Sequence, residues 1–79
     1  MKNKIIFENA ETNEHLTILD VQKIDISFSD TQVKDSFSGI DLDQAFVNLY
    51  DRHWSSVKIN DNKTLSSRYW IAESYEESN

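Results

Sequence analysis

The chain has 79 residues with one glycine, no proline and no cysteine, and fourteen acids against eight bases leave a formal net charge of −6. A chain of this size buries only about 60% of the surface it exposes when unfolded, so we expect one domain over residues 1–79, held by aliphatic and aromatic burial without disulfides or thiolate metal sites. The acidic balance argues against direct binding of a nucleic-acid backbone, which needs a concentrated cationic face, and is compatible with a cationic protein partner.

The opening residues MKNKIIFENAE begin as a secretory leader does but lack its long apolar run and cleavage site. No apolar run approaches a membrane span, and the expectation is a cytoplasmic protein. Lys4 to Glu8 is β-prone, with Ile5 and Phe7 on one face. Asn9 to Glu14 reads as a turn in which Asn13 can take a left-handed backbone. The extended pattern resumes from His15 to Leu19 through Leu16 and Ile18. Parity then breaks before Ile24, and a tight turn or bulge near Asp20 reconciles the two runs. Lys23 to Ser29 has the cleanest alternation, with Ile24, Ile26 and Phe28 against Asp25, Ser27 and Ser29. That is a half-buried antiparallel strand. Ser29-Asp30-Thr31 reads as a turn, and Gln32 to Phe37 as a candidate strand with Val33 and Phe37 on one face.

Asp41 to Trp54 carries the strongest pattern in the chain. Leu42, Ala45, Phe46, Leu49, Tyr50 and His53 form one stripe of a 3.6-residue helix. Asp41 is placed to cap it with Gln44 completing a capping box, and Gly39 allows a sharp turn into its start. Beyond it, Ser55-Ser56 loosens the chain, Val57 to Ile59 makes a short strand, and Asn60 to Lys63 is dense in turn chemistry. Ser67 to Glu73 returns as a strand with apolar bulk on both faces, which predicts cover on both sides. Residues 73–79 read as a frayed acidic tail. The order β-β-(β)-α-β-β predicts an α+β fold, a small antiparallel sheet of about four to five strands with one amphipathic helix packed on one face.

His53, on the apolar stripe near a helix end, is accounted for by packing and the helix dipole. It has no identifiable nucleophile or carboxylate partner, and two histidines alone are weak evidence for a metal. We therefore expect no catalytic residue, no cofactor site and no metal site. Arg52-His53-Trp54 and Arg68-Tyr69-Trp70 carry residue types enriched at protein interfaces; alternatively, the tryptophans plug a small core under arginine stems. The acids Glu8, Glu11, Glu14, Asp20, Asp25, Asp30 and Asp35 recur through the first half and could form an extended negative surface, although lysines are interleaved with them. The candidate partner-binding residues are Trp54, Tyr69, Trp70 and Tyr75 as anchors, with Asp25, Asp30 and Asp35 as charged contributors.

The expected function is a non-enzymatic module acting stoichiometrically, as an inhibitor or adaptor of a larger, locally basic protein. The alternative is an obligate homodimer or assembly component closed through a sheet edge or the last strand. A more distant reading is a single-stranded nucleic-acid binder using the two arginine–aromatic segments. Small size, acidity and lack of catalytic groups resemble the general style of phage-encoded inhibitors of host nucleases, including anti-CRISPR proteins. That resemblance implies a nucleic-acid-handling enzyme as the partner.

Overall fold

The computed structural model of the chain describes residues 2–29 and 34–78. Among these residues the order is β1 (Lys2–Asn9), β2 (His15–Ile18), β3 (Lys23–Phe28), β4 (Lys34–Ser38), a 3-10 turn (Gly39–Asp41), α1 (Leu42–Asp51), β5 (Trp54–Ile59), β6 (Lys63–Ser66) and β7 (Trp70–Ser78). The protein is α+β. Its strands pair antiparallel in two sheets, ordered β2-β1-β7 and β4-β3-β5-β6, and α1 packs against β7, β3 and β4. The inner faces of both sheets and one face of α1 enclose a single core. Ile5, Phe7 and Ala72 come from the first sheet, Ile24, Ile26, Phe28, Trp54, Val57, Ile59 and Leu65 from the second, and Leu42, Ala45 and Leu49 from the helix.

The class and the single helix are as the sequence predicts, while the strands divide between two sheets. β6 buries only Leu65, so it has no period to read. β3 follows its alternation, with Ile24, Ile26 and Phe28 buried. Val33 and Asp30 lie outside the described residues, and the strand expected around them is β4, where Phe37 is half-buried opposite Ile24. Asn13, Asp20, Asn60 and Asp61 all take positive φ, each in a segment read as a turn.

The helix ends at Asp51, before the expected Trp54. Arg52 is already extended, because Trp54 must pair with Phe28 at the start of β5. The buried stripe therefore narrows to Leu42, Ala45 and Leu49, with Tyr50 and His53 exposed. Gly39 makes the turn with φ +60, but Asp41 sits in the 3-10 turn and its side chain caps nothing. The Asp43 carboxylate instead accepts the Gln44 N–H at 2.8 Å.

Two bulges resolve the remaining parity problems. Ser27 pairs with Ser56 but Phe28 with Trp54, so Ser55 is the extra residue; it lies within β5, not in a loosened segment. Trp54 and Val57, three positions apart, both point inward as a result. Similarly, Ile6 pairs with Ser74 but Phe7 with Ala72, leaving Glu73 extra and turning both Ala72 and Tyr75 inward. The expected cover on both sides of the last strand is corrected: Trp70 and Ala72 pack on the core, while Ile71 on the other face stays 54% exposed. The expected frayed tail is corrected too. Residues to 78 are zipped along β1, with Lys4 Nζ 3.1 Å from the Glu76 carboxylate.

Candidate functional site

The structure separates the residues that sequence reading grouped together. Trp54 is corrected from exposed anchor to core residue. It is 7% exposed, meets Phe7 edge-on with centroids 6.3 Å apart, and donates its indole N–H to the Leu49 carbonyl oxygen at 3.1 Å. Tyr69 is 44% exposed beside a half-buried Trp70. Asp25 lies on the outer face of the four-stranded sheet, bonded to the Ser36 hydroxyl and 3.7 Å from Lys23. Asp35 pairs with core-facing Ile26 and so belongs to the opposite face of the same sheet. The two aspartates do not converge on one surface.

The two basic–aromatic segments do meet. Arg52, His53 and Trp54 share a cleft of about 300 Å³ with Trp70 and Ile71. The Arg52 guanidinium stands 3.9 Å over the Phe28 ring at the edge of the core. Arg68 is not among the residues lining this cleft.

A second cleft, of about 470 Å³, has a more specific chemistry. Asn3, Val21, Gln22, Gly39, Ile40, Leu42, Asp43 and Glu77 line it. Asn3 and Glu77 are register partners at the end of the β1–β7 pair. The Val21 N–H donates to the Asn3 carbonyl oxygen at 3.0 Å and fixes the opposite wall. The left-handed turn at Gly39 throws Ile40 outward, where it is 89% exposed on the rim. Tyr75, two residues before Glu77 on β7, is not among the lining residues; its ring is stacked on Phe46 with centroids 6.2 Å apart.

Two buried oxygens, Asn3 Oδ1 in the lining and Tyr75 Oη outside it, have no hydrogen-bond partner among the described residues. An unsatisfied buried polar atom costs about 1–3 kcal/mol, so its presence needs a reason. Asp43 has a structural role at the positive end of α1. Glu77 has none of that kind, and no ion pair among the described residues reaches either carboxylate. The cleft is therefore apolar-walled, negatively charged and short of hydrogen-bond partners.

Its electrostatics register on Tyr75. Burial pushes the hydroxyl above its ordinary pKa of 10.0, and the charges of Glu77 and then Asp43 push the same way. A raised folded-state pKa means that this contribution to stability is complete below the unfolded value, near pH 10, and is lost as pH rises beyond it. Urea midpoints for the wild type should fall as pH rises beyond about 10, and Tyr75→Phe should flatten that limb without loss of stability at neutral pH. An equally steep alkaline limb in the variant would place the titrating group elsewhere.

None of the cleft's logic is readable in sequence, because residues 3, 21–22, 39–43 and 77 have no common spacing, and none of the anchor candidates Trp54, Tyr69, Trp70 and Tyr75 lines it. Comparison with protein-family models, with curated proteins and with solved structures gives no match.

Proposed function

We propose that this chain is a non-enzymatic protein-binding module whose acidic cleft receives a lysine or arginine side chain from a locally basic partner. It acts stoichiometrically in the cytoplasm, as an inhibitor or adaptor, and a nucleic-acid-handling enzyme with a basic groove is a fitting partner. The observation that carries the reading is the partnerless Asn3 Oδ1 in one cleft with the Asp43 and Glu77 carboxylates. A lysine or arginine is an alkyl stem with a charged donor head. The stem matches the walls made by Val21, Ile40 and Leu42, and the head supplies the donors that the Asn3 side-chain oxygen and the two carboxylates lack. The net charge of −6 steers a basic partner to this rim and raises its on-rate.

The reading is tested by titrating amide spectra with short peptides that differ only in arginine, lysine or citrulline at one position. The cationic peptides should shift the amides of Val21, Gln22, Ile40 and Glu77 with affinities near about 1 mM, the scale of a single anchored side chain. Asp43→Asn with Glu77→Gln should remove the response. Shifts scattered over all acidic surfaces, or an equal response to citrulline, would sink the proposal.

A further inference from the structure

The outer face of the three-stranded sheet carries a second cluster, independent of the cleft. Glu8 on β1 lies directly opposite His15 on β2. Glu73, the extra residue of the β7 bulge, follows core-facing Ala72 and so lies on this outer face. His15 Nε2 is 2.8 Å from Glu73 Oε2, and one ligand atom from each of Glu8, His15 and Glu73 lies within 4.8 Å of the other two. Three adjacent strands thus deliver one imidazole nitrogen and two carboxylate oxygens to a single point.

We propose that Glu8, His15 and Glu73 bind a divalent transition-metal ion, with zinc the best match. Ligand atoms bound at about 2.0–2.2 Å from zinc stand roughly 3–4 Å apart, so the three donors reach one ion through small side-chain rotations. A mixed nitrogen–oxygen set favours zinc and other imidazole-binding ions over magnesium or calcium, which take oxygen alone. Two neighbouring carboxylates repel each other, and a dication between them reverses the sign of that interaction. Water would complete the coordination on the solvent side. The competing reading is a surface His–Glu ion pair with a bystander glutamate, which contributes little.

Calorimetric titration of the full chain with zinc chloride separates the two. We expect one ion per chain, and a weaker or absent response to magnesium chloride. Glu8→Gln and Glu73→Gln should each weaken zinc binding about tenfold or more, and His15→Gln should do the same. His53→Gln, which alters the other imidazole, should leave it unchanged. All these positions are on the surface or half-buried, so circular dichroism should report an intact fold for each variant. No saturable binding below about 1 mM zinc overturns the proposal. So does zinc affinity that survives loss of Glu8 or Glu73, since a lone surface histidine would then explain it.

Discussion

Replacing Trp54 by alanine is expected to leave the chain unfolded or barely folded at room temperature. The side chain is 7% exposed, packs edge-on against Phe7 and holds the Leu49 carbonyl through its indole N–H. Truncating a buried aromatic costs about 3–5 kcal/mol, and a domain of this length has roughly 4–12 kcal/mol in total. The Leu49 carbonyl, near the end of α1, also loses its donor, which adds to the loss. Trp54→Phe is the informative companion. It keeps most of the apolar volume but not the N–H, and should lose about 1–2 kcal/mol while remaining folded. Urea unfolding followed by far-ultraviolet circular dichroism measures both. A Trp54→Ala protein within about 1 kcal/mol of wild type would show that this tryptophan is not part of the core.

Asn60→Ala should also be strongly destabilising, although residue 60 lies in a turn. The Asn60 side-chain oxygen accepts the N–H groups of Gln22 at 2.7 Å and Lys23 at 3.1 Å, and its amide donates to the Asp20 carbonyl oxygen at 3.1 Å. Its own N–H donates to the Lys23 carbonyl oxygen at 2.9 Å, so one residue clamps the turn after β5 to the turn before β3. Its φ of 55 is a conformation that alanine adopts only with strain. Three side-chain bonds and the strain together amount to about 3 kcal/mol. Asn60→Gly removes the bonds without the strain and should cost roughly half as much. Equal losses in the two variants would assign the effect wholly to the side-chain bonds.

Local sequence was sufficient wherever a residue's own chemistry dictates its backbone. The alternation of β3, the stripe Leu42–Ala45–Leu49, the left-handed turns at Asn60 and Asp61 and the sharp turn at Gly39 are all of this kind. Each depends on side-chain period or on tolerance of positive φ, which a single stretch of chain reveals. The end of the helix was already less legible. Arg52, His53 and Trp54 continue a helical pattern, and only pairing with Phe28 draws Trp54 into a strand.

The bulges at Ser55 and Glu73 have no local signal, because a bulge is a mismatch in count between two strands. They nonetheless decide which side chains meet. One makes Trp54 a core residue; the other turns Tyr75 toward the core two residues after Glu73, the neighbour of His15. An acidic α+β domain with a short helix, left-handed turns and the β3 strand follows from composition, side-chain period and turn chemistry. The register between β1 and β7, and with it both candidate sites, comes from packing, because pairing of distant strands brings residues more than fifty positions apart together, such as Asn3 with Glu77 and His15 with Glu73.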